Sequence, residues 1–351
     1  MKKYIYMDNS ATTPVKQEVI DEILPYFNTQ YGNPSSIYTL GGQSKNVVEI
    51  SREKISKVLN INSNEIFFTA GGSESDNWAL KGIAFANREK GNHIITVKTE
   101  HKAVLATCEY LETKGFEVTY LDVDENGLIL MDQLRDSVKD NTLLVVIMYV
   151  NNETGVIQPI NEIGEFCKER DIAFFCDATQ AIGKVKVDVE KDNIDVLCFS
   201  GHKINGPKGI GVLYKKEHMA ITPLIHGGGQ EKGMRGGTYN TPLIVGLGEA
   251  CELSLKEFEK NTFNLIKRRT EIEEYYEANN IGSVNFKTVN RAPHIISITL
   301  KDYEADEYLM LKSREFVAST GSACNARIVE PSHVFREIKL KNIESIIRLS
   351  I

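Results

Sequence analysis

The sequence lacks any long apolar run. Its longest uninterrupted apolar stretch, residues 143–150, is too short to cross a bilayer, and the opening segment "MKKYIYMDNSATTP" has no apolar core of the kind that signal peptides carry. We therefore expect a cytoplasmic protein that does not act at a membrane.

An excess of positive charge is also absent. The chain has 41 Lys and Arg against 48 Asp and Glu, a formal net charge of −7. Proteins that bind the phosphate backbone usually show a basic stripe, so nucleic acid is not expected as a direct partner. The length of 351 residues, with 42% hydrophobic and 25% charged residues, is typical of a globular protein of two domains.

Paired cysteines are missing as well. None of the six cysteines belongs to a C-x-x-C pair or lies near clustered histidines, so we expect neither a metal site nor a disulfide framework. Cys324 is the exception in its surroundings, because "ASTGSACNARIVEPS" has the small and polar composition of a mobile loop. The others lie among apolar neighbours and are predicted to be small buried side chains: Cys108, Cys167, Cys176, Cys198 and Cys251.

Short apolar runs alternate with helical patterns from residue 65 onward. The runs are "EIFFT", "HIITV", "FEVTYL", "TLLVVIMYV", "IAFFC" and "VLCFS". This alternation predicts a mostly parallel sheet with helices on both faces. A long charged helical pattern from about residue 251 to residue 279, followed by "HIISITL", predicts a second domain of α+β type.

Polar segments follow these apolar runs where each strand is predicted to end. They are "AGGSESDN", "TEHKA", "NNETG", "DATQA" and "SGHK". Ligands of open parallel sheets bind outside the carboxyl ends of the strands, so we expect the five segments to form one site.

Three features of this edge suggest a cofactor. Lys203 alone is most simply a solvated lysine, residues 71–73 alone a tight turn, and Asp177 alone a helix cap. Together they match pyridoxal phosphate, which needs a lysine for its aldehyde, an acid for its ring nitrogen and a cradle for its phosphate.

The motifs "DNSATTP", "YGNPSS", "TAGGSESDN", "EHKAV", "NNETG", "DATQAIG", "SGHKINGPKGIG", "HGGGQEKGMRGGT" and "STGSAC" occur in order from residue 7 to near the end of the chain. In these motifs the sequence resembles the cysteine desulfurases of the NifS/IscS type, in the class V aminotransferase family. The resemblance implies the α/β fold of type I pyridoxal phosphate enzymes, which is like that of aspartate aminotransferase. It implies a large domain, residues 15–251, around a mostly parallel seven-stranded sheet, and a smaller α+β domain of residues 1–14 and 252–351.

The resemblance also implies roles at the cofactor ring. Lys203 is the Schiff-base lysine, Asp177 partners the ring nitrogen, and His101 stacks on the ring and transfers protons. Gln180 bonds the ring hydroxyl. Taken alone, His101 could be a solvated histidine at a helix start, and Gln180 could cap a helix.

Further roles follow from the same resemblance. Thr238 reaches the cofactor phosphate of a neighbouring subunit, which implies a homodimer. Asn152 lies near the cofactor and, with Arg348, holds the substrate carboxylate. The remaining cofactor residues bind the phosphate within one chain, although each could merely cap a turn: Gly72, Ser73, Ser200 and His202.

Cys324 completes the reaction that the resemblance implies. Its thiolate attacks the sulfur of the substrate–cofactor adduct, so L-cysteine becomes L-alanine and a persulfide on Cys324 passes sulfur to an acceptor protein. Iron–sulfur cluster assembly, tRNA thiolation and DNA phosphorothioation all use such donors. Two alternatives stay open: a selenocysteine lyase or other class V aminotransferase, and an idle sulfur-transfer scaffold.

Two features depart from the family pattern. Tyr38 stands where the family usually has a histidine, and the family usually continues beyond "IRLS", where this chain stops at Ile351.

Overall fold

The structure is a computed structural model, and it describes residues 4–320 and 332–351. Cys324 lies outside the described residues, so its predicted role is not tested by the fold. The helices of the described part are α1 Gln17–Ile23, α2 Pro25–Asn28, α3 Thr39–Leu59, α4 Gly72–Ala86, α5 Lys102–Glu112, α6 Met131–Ser137, α7 Ile160–Glu169, α8 Thr241–Lys256, α9 Phe258–Ala278, α10 Ala305–Lys312 and α11 His333–Ile338.

The strands of the same part form three sheets. Seven of them make one sheet in the order β2-β8-β7-β6-β5-β3-β4. The strands are β1 Ile5–Tyr6, β2 Ile66–Thr69, β3 His93–Val97, β4 Glu117–Leu121, β5 Thr142–Val146, β6 Ala173–Asp177, β7 Val196–Ser200, β8 Gly211–Lys215, β9 Gly282–Val284, β10 Ile295–Leu300, β11 Phe316–Val317 and β12 Ile346–Ser350.

The large sheet is parallel except at β8. Strands β4, β3, β5, β6 and β7 pair in parallel, whereas β8 runs antiparallel to both β7 and β2. The predicted α/β fold with a mostly parallel seven-stranded sheet is therefore confirmed.

Helices on both faces explain why the strands read as continuous apolar runs. In β3, Ile94 belongs to the same buried cluster as Trp78 of α4, whereas Ile95 belongs to a second cluster that includes Ile55 of α3. Successive side chains of a strand point to opposite faces, so a sheet covered on both sides needs apolar residues at every position.

Two elements differ from their sequence predictions. β5 ends at Val146 rather than at residue 150, although the N–H groups of Ile147 and Tyr149 still donate to carbonyls of β6. The chain turns at residues 151–154, where the Asn151 side chain accepts from the N–H groups of Glu153 and Thr154. The long charged helix is two helices, α8 and α9. They are separated at Glu257, whose non-helical ψ of 3° ends α8 and whose carboxylate pairs with Lys16.

The carboxyl-terminal part builds its own sheet from β9, β10 and β12, all antiparallel. The amino-terminal segment joins it, because β1 pairs with β11 and Asp8 bridges to Ser350. The predicted domain boundaries at residues 14 and 251 stay a prediction. Across the described residues, every helix is too short or too polar to span a membrane.

Candidate active site

A cavity of about 380 Å³ lies at the carboxyl edge of the parallel strands. It gathers every predicted site residue except Thr238 and Cys324, as the position of the polar segments after the strands predicts. Its lining comprises Ser10, Ala11, Gly72, Ser73, Asp76, His101, Met148, Val150, Asn152, Asp177, Thr179, Gln180, Ser200, His202, Lys203 and Arg348.

Lys203 ends the 3-10 turn that follows β7, and its side chain reaches the cavity. The ammonium group donates to the backbone carbonyl of Ser10 and, at 2.8 Å, to that of Ala11. Both of these partners are neutral backbone carbonyls of the amino-terminal segment. The amino-terminal segment therefore positions the predicted Schiff-base lysine.

Asp177 is the last residue of β6 and is buried. Its Oδ1 accepts the backbone N–H of Thr179 at 2.8 Å. A second carboxyl group, that of Asp76, lies close by: the Cys198 thiol donates to Asp76 at 3.0 Å and lies 3.7 Å from Asp177. The ligand atoms of these three residues all lie within 4.8 Å of one another.

Two further carboxyl groups near the carboxyl edge of the sheet, those of Asp76 and Glu100, are fully buried. Burial, together with the charge of Asp177, holds the pKa values of Asp76 and Glu100 well above their usual range. Glu100 also accepts from the Met148 N–H with one oxygen, while its other oxygen has no partner in the described part of the chain. Both side chains therefore favour the neutral acid.

His101 lies at the start of α5, as its sequence context predicts. Its Nδ1 accepts from the N–H of Ala103 at 3.2 Å, so the residue is an N-cap that also lines the cavity.

Gln180 lies in the segment that follows β6, and its side chain is buried. Its amide nitrogen donates to the Ser10 carbonyl at 3.0 Å, and its oxygen lies 3.2 Å from Nε2 of His294.

The amino terminus of α4 lines one end of the cavity, where its free backbone N–H groups suit an anion. Gly71 precedes it with φ 150°, a conformation that favours glycine, and Gly72 and Ser73 then open the helix. His202 contacts the Thr12 hydroxyl at 3.1 Å through Nδ1. Burial and the charges of Lys203 and Lys208 lower the pKa of His202 to about 4, so the ring is neutral near pH 7.

Arg348 lies on β12 and is buried at the other end of the cavity. One Nη donates to Asp8 at 2.8 Å and the other to the backbone carbonyl of Asn152 at 3.0 Å. Its Nε has no hydrogen-bond partner among the described residues although it is buried. Buried donors are rarely left unpaired, so this one suits an anionic group in the cavity.

Thr238 lies apart from the other predicted residues. It lines a second cavity of about 220 Å³ with Arg235, Glu231 and Tyr239. Its predicted contact is with the phosphate of a neighbouring subunit, and that contact stays a prediction.

The five cysteines in the described part of the chain are all buried, as predicted. Burial raises the pKa of each thiol: Cys108, Cys167, Cys176, Cys198 and Cys251. A raised pKa suppresses the thiolate, so these five are poor nucleophiles. Tyr38, the departure from the family pattern, is exposed before α3 and does not line the cavity.

The sequence analysis missed several residues of the site. Asp76 follows Gly72 by one helical turn, and this i, i+4 spacing could have placed it on the same face. Asp8 and His294 carry no local pattern that marks them. Ser10 and Ala11 act through backbone carbonyls, so their side chains give no signal at all.

The sequence profile described as "Aminotransferase class-V" matches residues 5–351. A Methanosarcina thermophila protein described as "Cysteine desulfurase IscS" is 51% identical over 333 residues, 95% of this chain and 82% of that relative. A solved structure described as "NIFS-LIKE PROTEIN" has a TM-score of 0.93 at 35% identity and covers 99% of this chain and 94% of its own. Another, "SspA in complex with cysteine", has a TM-score of 0.86 at 40% identity and covers 99% and 98%.

The chain belongs to the class-V aminotransferase family. Its identity to the Methanosarcina thermophila relative places it, within that family, among the cysteine desulfurases. The resemblance predicted from the motifs is therefore confirmed. Enzymes of this family generally depend on pyridoxal phosphate.

Proposed function

We propose that this chain is a pyridoxal phosphate enzyme that converts L-cysteine to L-alanine and leaves the sulfur atom as a persulfide on Cys324. In this step the carbon–sulfur bond of the substrate breaks and a sulfur–sulfur bond forms on the Cys324 thiol. The persulfide then passes to an acceptor protein. The SspA structure described as a complex with cysteine supports the choice of substrate.

One observation carries the proposal: an amine, a buried carboxylate, an open helix amino terminus and a buried arginine converge on a single cavity. Lys203, Asp177, residues 72–73 and Arg348 all line it. These groups fit the aldehyde, ring nitrogen and phosphate of the cofactor and the carboxylate of an amino acid. When bound, pyridoxal phosphate supplies an electron sink for bonds to the substrate α-carbon.

Side chains of the protein supply the other functions of the proposed site. Asp177 holds a proton at the ring nitrogen, and the neighbouring Asp76 stays neutral because burial, and then the charge of Asp177, raise its pKa. Neutral His202 contacts the Thr12 hydroxyl through Nδ1, and we assign its Nε2 to the phosphate beside Gly72 and Ser73. The unpaired Nε of Arg348 binds the substrate carboxylate.

The assignment of Cys324 as sulfur acceptor rests on the motif "STGSAC" and on the state of the other cysteines. Burial raises the pKa of each of those five thiols, which leaves Cys324 as the nucleophile that the proposal needs. His101, at the cavity wall, is the proton carrier.

The proposal extends to a cytoplasmic homodimer in which Thr238 completes the phosphate site of the partner subunit. The separate position of Thr238 supports this, because in one chain it lines a different cavity from Lys203.

A mass measurement on Cys324 tests the proposed function. Protein given L-cysteine without a reductant should gain one sulfur atom on the Cys324 peptide and make alanine in a burst of about one equivalent per site. Cys324→Ala should bind the cofactor and stop releasing sulfur, whereas Cys251→Ala, a buried-thiol control, should keep activity. Alanine production by Cys324→Ala at the wild-type rate would instead support an ordinary class V lyase.

A further inference from the structure

A buried histidine, His294, lies directly behind the cavity, and neither the motifs nor the cavity lining includes it. It precedes β10 and is only 1% exposed. Its Nε2 lies 3.2 Å from the side-chain oxygen of Gln180, and its Nδ1 has no hydrogen-bond partner among the described residues.

The neighbours of Gln180 determine which way its amide points. On one side lies the backbone carbonyl of Ser10, 3.0 Å from the amide nitrogen, and this carbonyl also accepts from the Lys203 ammonium. A carbonyl only accepts hydrogen bonds, so the nitrogen of Gln180 must face Ser10. The amide oxygen is therefore the atom that faces His294.

This orientation also sets the tautomer of His294. An amide oxygen only accepts, so Nε2 of His294 must carry a proton. Burial and the positive charges of Lys184 and Arg348 hold the pKa of His294 well below its usual value, so Nδ1 is unprotonated. The imidazole is neutral, and its one N–H is directed at Gln180.

We propose that His294 is a positioning residue which, through its Nε2–H, locks the Gln180 amide with its nitrogen toward Ser10 and the cavity. The inference rests on the proposed function in one respect, namely that the second N–H of Gln180 donates to an oxygen of the bound cofactor. Without the donor at position 294 the Gln180 oxygen loses its partner, and only the bond to Ser10 still orients the amide. The amide can then tilt about that bond, so its second N–H is less well aligned with the bound group.

The same bond links two parts of the fold. His294 is followed by β10, whose Ser297 pairs with Arg348 of β12, whereas Gln180 follows β6 of the large sheet. The proposed cofactor contact and the proposed carboxylate contact are therefore fixed relative to each other through one buried hydrogen bond.

Histidine NMR tests the tautomer independently of the proposed function. The full chain labelled with ¹⁵N-histidine, with and without pyridoxal phosphate, should show at pH 7 a neutral Nε2–H ring that disappears in His294→Gln. A charged ring or an Nδ1–H tautomer at position 294 would overturn the proposal, even if the chain bound no cofactor.

Cofactor affinity tests the positioning role. His294→Gln keeps an N–H near the position of Nε2 and should bind pyridoxal phosphate within about threefold of wild type. His294→Leu removes the donor and should weaken binding about tenfold, the effect of one lost hydrogen bond, and should shift the pH midpoint of the cofactor absorbance.

A second buried histidine provides the control. His93 bonds two threonines, Thr142 and Thr119, at the opposite end of the parallel strands. His93→Leu should lower stability and leave both the affinity and the absorbance midpoint unchanged. Equal effects of His93→Leu and His294→Leu, or wild-type affinity in His294→Leu, would refute the positioning role. Should His294→Leu not fold, His294→Gln decides: loss of affinity beyond threefold refutes the role, and retention supports it.

Discussion

Replacing Asp8 should weaken the binding of L-cysteine, although Asp8 is outside the cavity lining. Its carboxylate accepts from Arg348 at 2.8 Å, with side-chain exposures of 19% for Asp8 and 3% for Arg348. The pair fixes the position of the Arg348 guanidinium, and Arg348 lines the cavity. Asp8→Ala removes that constraint and leaves a buried positive charge without its carboxylate.

The expected magnitude follows from the type of bond. A hydrogen bond to a charged group contributes about 1.5–3 kcal/mol, and the partial exposure of Asp8 favours the lower value. About 1.5 kcal/mol corresponds to roughly a tenfold rise in KM for Asp8→Ala. Asp8→Asn retains an accepting oxygen in a bond about half as strong, so the rise should be about threefold.

Steady-state alanine production over a range of L-cysteine concentrations measures the effect. Since the substrate carboxylate that we propose as the partner of Arg348 does not react, KM should rise while kcat changes little. Asp122→Asn, which breaks an exposed pair with Lys98, is the matched control and should leave KM unchanged. A folded Asp8→Ala protein with a KM within about twofold of wild type would refute the role given to Asp8.

Three further predictions address the cofactor end of the cavity. Lys203→Ala should lose the yellow colour of the bound cofactor, because Lys203 is the one lysine that lines this cavity among the described residues; borohydride labelling of another lysine would contradict this. Asp76→Asn, which mimics the neutral acid, should keep the cofactor absorbance, whereas Asp177→Asn should lose most activity; equal losses in the two variants would show that Asp76 is charged. His202 has a folded pKa of about 4 against 6.5 for the free side chain, so its contribution to stability is present above pH 6.5 and lost as the pH falls toward 4. The urea midpoint of His202→Gln should therefore fall less than that of wild type between pH 7 and pH 5, and an identical fall would exclude the shift.

The parallel sheet and most of the cavity could be predicted because both leave local signals. Buried parallel strands give continuous apolar runs, and the polar residues that follow them meet at one edge. Lys203, Asp177, His101 and Gly72 were all found in this way and all line the cavity. Their catalytic roles stay predictions.

Other features depend on contacts between distant parts of the chain. The end of α8 at Glu257 involves Lys16, and the alignment of Gln180 involves His294. Lys203 is held by the backbone carbonyls of Ser10 and Ala11, and a residue of any type at these two positions would supply the same carbonyl. Such pairings leave no periodic pattern, so the sequence alone does not reveal them.

Residues 8–10 contact β12, and this contact determines when the proposed activity can arise during synthesis of the chain. The N–H of Ser10 donates to the Ser350 hydroxyl, and Asp8 pairs with Arg348, so each contact joins residues about 340 positions apart. If Arg348 binds the substrate carboxylate as proposed, a ribosome-bound chain whose β12 has not yet emerged lacks the arginine for that contact. On this proposal the ability to select an amino acid arises only when β12 docks against residues 8–10.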